Sequence, residues 1–169
     1  MTSGQEAPPR DRVDAYEEVY ESHFDRLARL VVLLGVPRED AEDVVADVFV
    51  RTFSHWVSGS VKNIGGYLTT AVTNAARDRA RRAVRLEPLP GELGTEHQSE
   101  DGVDDRDRMK RCLTLLGHDQ REVVVLRFYY ELSEAETAEV LGVAVGTVKS
   151  RQARGLARLR AMMIGASDA

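Results

Sequence analysis

Ser133–Arg160 reads SEAETAEVLGVAVGTVKSRQARGLARLR, and the fold turns on this stretch. Ser133 followed three residues later by Glu136 is a capping-box spacing, so a short helix begins there. Ala138, Val140 and Leu141 give that helix an apolar side, and Gly142 stands where a helix stops in a left-handed residue. A second helix follows from Val145 and Gly146. At about 100° per residue, Thr147, Ser150, Arg151, Arg154 and Arg158 fall on one of its faces, and Val145, Val148, Leu156, Leu159 and Met163 on the other. A short buried helix, a glycine turn and a longer helix carrying an arginine stripe make a helix-turn-helix, whose second helix suits the DNA major groove. A solvated basic face on an ordinary bundle helix is the plainer alternative, but it leaves the turn unexplained.

Working outward, the 169 residues suffice for one medium domain or two small ones, and 43% hydrophobic residues allow real cores. The net charge of −5 opposes binding to a polyanion only on average, because the charge is segregated. Arg77, Arg79, Arg81, Arg82 and Arg85 form one basic block and Lys149 to Arg160 another. Between them lies an acidic stretch with Glu87, Glu92, Glu96, Glu100, Asp101, Asp104, Asp105 and Asp107. Only the local field meets a phosphate, so two separate basic patches are the informative fact. Cys112 is the single cysteine, so no intrachain disulfide can form. The four histidines are scattered at no metal-ligand spacing, and no metal or cofactor is expected. There is neither a membrane-length apolar run nor a signal-peptide core, so no membrane insertion and a cytoplasmic location are expected.

The pattern throughout is helical, which predicts an all-α chain of two small helical domains joined by a flexible acidic linker. Residues 1–12, with Pro8 and Pro9, read as a disordered tail, and the first domain spans 13–86. Tyr16, Val19, Tyr20, Phe24, Leu27, Val31 and Leu34 recur at helical spacing until Gly35. Pro37 suits the first turn of a second helix, whose opening is loaded with Glu39, Asp40, Glu42 and Asp43. This helix buries Val44, Val45, Val48, Phe49 and Phe53 or Trp56. Its other face shows Glu39, Asp43 and Asp47, either a solvated surface or a docking surface for a basic or polar partner. Ser58–Gly66 is a loop that fits no phosphate-cradling spacing. A third helix buries Leu68, Ala71, Val72 and Ala75 and carries Asn74, Arg77, Arg81 and Arg85 as one exposed stripe, with Tyr67 at its start. An amide, a row of guanidiniums and an aromatic are the parts needed to grip a backbone and hold an unpaired base. An arginine-rich helix end near its own dipole is the competing reading. The linker spans 87–105 and the second domain 106–165. There a helix runs over Arg108–Leu116, and Asp119 with Glu122 repeats the capping-box spacing ahead of a helix that buries Val123, Val124, Leu126, Phe128 and Tyr130.

Together these segments resemble the sigma-70 family of bacterial RNA polymerase initiation factors, in its extracytoplasmic function group. AEDVVADVFVRTF resembles the family's helix for docking on the polymerase core, YLTTAVTNAARDRARR its minus-10 helix, and REVVVLRFYY with Ser133–Arg160 its minus-35 reading domain. The resemblance implies that the first domain is the sigma-two domain and the second the sigma-four domain. It places Asp43, Asp47 and Phe49 at the β′ clamp helices, and Tyr67 and Asn74 at the melted minus-10 strand, with Arg77 and Arg81 on its backbone. It sets Thr147, Lys149, Ser150, Arg151, Arg154 and Arg158 at the minus-35 element, Lys149 as a flanking phosphate contact because it lies off the arginine stripe. It also implies contact with the β flap, an anti-sigma partner, promoter DNA as ligand, and no catalysis. Three positions depart from the family pattern: Ala144 where a serine often caps the reading helix, a deficit of about 1 kcal/mol, Thr137 in place of isoleucine, and Thr70 in place of arginine.

Two other functions fit parts of the chain. A free-standing regulator would use Ser133–Arg160 and leave the docking helix and the Asn74 stripe idle. A nucleic-acid enzyme would need carboxylates or a His/Cys set converging on one site, and the acids here lie in a linker or along one helix face.

Overall fold

The computed structural model describes residues 10–86 and 105–165. The first of these segments folds into α1 (Arg10–Leu33), α2 (Arg38–Val57) and α3 (Ile64–Leu86). The second folds into α4 (Asp105–Thr114), α5 (His118–Val124), a π-helical turn over Val125–Tyr129, α6 (Glu134–Leu141) and α7 (Val145–Gly165). The expected all-helical architecture is present, with no strand among the described residues.

In the N-terminal unit α1 packs on α2 and α3 through Leu27, Leu30, Val31, Val45, Leu68 and Val72, each wholly buried. Gly35, at a φ of +104°, turns the chain between α1 and α2, a conformation that suits a residue without Cβ. α1 starts at Arg10, inside the expected tail, because Arg12 has a tertiary partner: Nη1 donates to the Trp56 carbonyl at 2.6 Å, and Trp56 Nε1 donates back to the Arg12 carbonyl at 3.0 Å. These bonds close the C-terminal end of α2, where carbonyls lack intrahelical partners. The rest of the expected tail, residues 1–9, lies outside the described residues, as do 87–104 of the expected linker. Pro37 is the N-cap of α2 and not a first-turn residue. α3 begins at Ile64, within the expected loop, because the Asn63 Oδ1 accepts the Gly66 amide at 3.0 Å.

The C-terminal unit follows the expected hairpin closely from Ser133 onward. Ser133 and Glu136 form both bonds of the capping box, and Gly142 ends α6 at a φ of +63°. α7 then lies against α5 at a spacing set by Gly155, where a Cβ would stand 2.9 Å from Val124 Cγ2.

Three expectations in this unit are corrected. α5 takes Gly117 as its N-cap with no side-chain cap, so Asp119 and Glu122 form no capping box. Their carboxylates are drawn to arginines elsewhere. Phe128 is 53% exposed rather than buried, because the π turn widens the helix and Phe128 no longer comes round to the face of Val124. Tyr130 then bonds its amide to the Val125 carbonyl at 3.0 Å and is buried as expected. On α7, Val148 and Leu159 are buried, whereas Val145 and Met163, near the helix ends, are exposed.

The two units touch. Arg26 of α1 lies 4.2 Å from the ring centre of Tyr130 and donates to its carbonyl at 3.3 Å. Arg121 donates to the carbonyls of Leu113 at 2.8 Å and Thr114 at 2.6 Å, closing the end of α4, and reaches the Leu34 carbonyl of the other unit at 3.4 Å. Burial holds the Arg121 pKa below its ordinary value. α3 packs on α6 beside these contacts.

Candidate nucleic-acid interface

α7 presents its polar face much as the wheel predicts. Ser150, Arg154 and Arg158 are exposed, and Thr147 is half-buried. Arg154 Nε donates to the Ser150 carbonyl at 3.2 Å and Nη2 to its hydroxyl at 3.3 Å, while Ser150 donates to the Thr147 carbonyl at 3.0 Å. These bonds stay within one helix turn and leave the guanidinium edge facing solvent. Lys149 is exposed off this stripe, 3.5 Å from a Glu134 carboxylate oxygen. Arg151 differs from its neighbours: it is half-buried, and its Nη2 lies 2.7 Å from Asp119 of α5. Ala144 immediately precedes α7 and its carbonyl accepts the amides of Thr147 at 2.9 Å and Val148 at 3.2 Å, but its methyl offers no acceptor to the first turn.

α3 departs further from its wheel. Asn74 and Arg81 are exposed, and Tyr67 is 40% exposed, with its ring centre 6.2 Å from that of His55. Arg77 is not on the exposed side. Its fork grips Glu122 through Nε and Nη2, the latter 2.7 Å from Oε2, and Nη1 reaches the Leu141 carbonyl at 3.4 Å. The Glu122 side chain is only 2% exposed, and its hydrogen bond raises the Arg77 pKa. Thr69, Thr73 and Ala76 complete the buried side of α3, whereas Ala71 and Ala75 are only half-buried. The side chain of Arg85 lies outside the described residues.

Arg77, Arg81 and Arg82 of α3 and Arg151 of α7 therefore line the same cleft between the units, about 920 Å³, together with His118 and Asp119. Sequence reasoning did not find Asp119 and Glu122 as partners of the two stripes. One signal was present: Glu122, Leu126 and Tyr130 share a helix face, and an acid on an apolar stripe calls for a buried cation.

On α2, Asp43 and Asp47 are exposed, and Asp47 makes only an open pair with Arg51 at 3.9 Å. Phe49 is buried, as its place on the apolar side of α2 predicts. Its ring centre stands 5.8 Å from Tyr16 and 4.9 Å from Tyr20, and its carbonyl accepts the Tyr16 hydroxyl at 2.7 Å. Burial pushes the Tyr16 phenol up to about 12. These rings, Phe53 and the 76%-exposed Val50 frame an apolar groove of about 330 Å³, with Phe49 in its wall.

Two helical units, each with an exposed polar-basic helix face, define a two-point reader of DNA. Residues 19–86 match the family model of sigma-70 region 2, and residues 106–159 match that of sigma-70, region 4. The chain is 35% identical over 153 residues to an RNA polymerase sigma-E factor of Streptomyces coelicolor, covering 88% of this chain and 86% of that protein. It is 34% identical over 157 residues to the ECF RNA polymerase sigma factor SigM of Mycobacterium tuberculosis, covering 88% and 77%. Among solved structures it is similar to the sigma factor RpoE of Bartonella quintana in complex with the anti-sigma factor NepR, with a TM-score of 0.70, 25% identity and coverage of 88% and 96%. It is also similar to CnrH in complex with the cytosolic domain of CnrY, with a TM-score of 0.67, 28% identity and coverage of 90% and 89%. The chain belongs to the sigma-70 family of RNA polymerase sigma factors, in its extracytoplasmic function group, and serves promoter-specific transcription initiation. No described helix is long and apolar enough to cross a membrane.

Proposed function

We propose that the protein works in the cytoplasm as a specificity subunit with no catalytic step of its own, and that its residues divide the work as follows. Asp43 and Asp47, beside the aromatic groove walled by Phe49, dock on the β′ clamp helices of core polymerase. Tyr67 and Asn74 receive an unpaired minus-10 base while Arg81 and Arg77 hold its backbone. Extrusion costs a few kcal/mol, which stacking on Tyr67 and edge bonds to Asn74 offset. Thr147, Ser150, Arg151, Arg154 and Arg158 meet the minus-35 element, with Lys149 on a flanking phosphate, and the C-terminal unit also touches the β flap. An anti-sigma protein is a further partner, in keeping with the complexes in which the related RpoE and CnrH are seen.

The observation that carries this reading is the pairing of exposed Asn74 and Tyr67 on one unit with exposed Ser150 and Arg154 on the other, in a helix-turn-helix whose first helix carries a full capping box. Run-off transcription with core polymerase tests it. Asn74→Ala abolishes opening while leaving core binding intact. Arg154→Ala lowers promoter affinity by about 1–3 kcal/mol at particular minus-35 base pairs. A uniform loss across sequences makes Arg154 a phosphate contact. Tight sequence-specific binding without polymerase points instead to a free-standing regulator.

A further inference from the structure

We propose that α5 is an internal stand-in for DNA phosphate: its carboxylates occupy one arginine of each reading helix, and the Glu122 pair, the one of the two that crosses between the units, holds the free protein closed. Glu122 takes Arg77 of the minus-10 helix, and Asp119 takes Arg151 of the minus-35 helix. This rests on the roles assigned above to α3 and α7.

The geometry is that of phosphate recognition. The fork of Arg77 meets both oxygens of Glu122, the bidentate arrangement a guanidinium also makes with a phosphate, and its remaining nitrogen reaches the Leu141 carbonyl at 3.4 Å. Three of the five N–H donors of Arg77 are thus engaged inside the protein, and its Nε–Nη2 edge is taken entirely by Glu122. Glu122 is almost wholly buried, and besides Arg77 it has the His118 ring beside it, Nδ1 lying 3.6 Å from Oε1. A buried carboxylate paired across two units ties their separation to the loss of that partner. Arg26 on Tyr130 and Arg121 on the Leu34 carbonyl hold the same closure from the α1 side. The two carboxylates are not equivalent. Asp119 keeps 63% of its side chain exposed, so salt screens its pair with Arg151, whereas the Glu122 pair is sheltered. The Asp119 pair lies within the C-terminal unit and masks Arg151 without joining the units, so opening turns on the Glu122 pair, and DNA phosphates replace the carboxylates one for one.

The test is energy transfer in the full-length protein, in a Cys112→Ala background labelled through Glu18→Cys on α1 and Ala157→Cys on α7, both exposed positions. The parent shows a dominant high-transfer population without polymerase. Glu122→Gln reduces that population several-fold, whereas Asp119→Asn, which breaks a pair inside the C-terminal unit, leaves it unchanged. Arg26→Gln replaces an exposed residue, spares the fold and also shifts the population toward low transfer. The exchange of Arg77→Glu with Glu122→Arg restores high transfer but not minus-10 opening. Unchanged transfer in both Glu122→Gln and Arg26→Gln overturns the latch. Circular dichroism on each variant separates opening from unfolding. The readout needs no polymerase: a low-transfer Glu122→Gln protein that gives no run-off product with any variant leaves the latch standing and removes the initiation roles.

Discussion

α3 and α7 look alike on a helical wheel, each an apolar side opposite a line of arginines, yet they are held in different ways. α7 takes its setting from its own hairpin: the Ser133–Glu136 box, the left-handed Gly142 and the close approach at Gly155. α3 takes its buried side from α1 and α2, but its central arginine is claimed by a carboxylate in the other unit. The difference separates two sources of order. One helix is positioned by its own hairpin and by packing on α5 within its unit, the other by a charge 45 residues away in the other unit. On the first the polar stripe is exposed at Ser150, Arg154 and Arg158 and interrupted at Arg151, which pairs with Asp119. On the second it is exposed only at the positions with no distant partner.

The sharpest way to break this contrast is at Gly155. Gly155→Leu drives a side chain into Val124 and costs about 3 kcal/mol in the C-terminal unit, read by denaturant unfolding. A loss under about 0.5 kcal/mol would mean that α5 does not set the position of α7. The next effect has the opposite sign. Thr137 is wholly buried in α6, and its hydroxyl has no hydrogen-bond partner. Thr137→Val keeps the shape, removes that orphan and stabilises the protein by about 1 kcal/mol in the same measurement. No gain would show that the hydroxyl is satisfied in solution, by a water molecule for example.

The smallest effect is a slope. Hydrogen bonds from Ser133 hold the Glu136 carboxyl below its ordinary value of 4.5. A lowered folded-state pKa contributes stability above the unfolded value and loses it as pH falls through the folded one. The capping box therefore adds to an acid-side decline below about pH 4.5, and Glu136→Gln flattens it. An unchanged slope would place the box outside the pH response.

The sequence made the short-range features legible because each rests on a residue type with local consequences. Ser133, Gly142 and the helical spacing of Leu27, Val31 and Leu34 needed only their neighbours. Glu122 misled for the same reason: its spacing from Asp119 was that of a capping box, and only the arrival of Arg77 from the other unit decides between cap and ion pair. Phe49 was legible as buried from its spacing, but the rings that cover it, Tyr16 and Tyr20, come from another helix. Phe128 failed through a change of helix type that no periodicity announces.

That change of type has a consequence for chain length. A π turn holds one residue more than the α-helix around it needs, and the extra residue is carried as a bulge. Deleting a single residue from Val125–Tyr129 lets the helix close over the gap, so that Tyr130 still arrives beneath Arg26. The same deletion in the middle of α7 swings every later side chain by about 100°. The two halves of this hairpin unit thus differ in their tolerance of lost residues: the helix that faces the other unit carries slack, and the helix aimed at DNA has none.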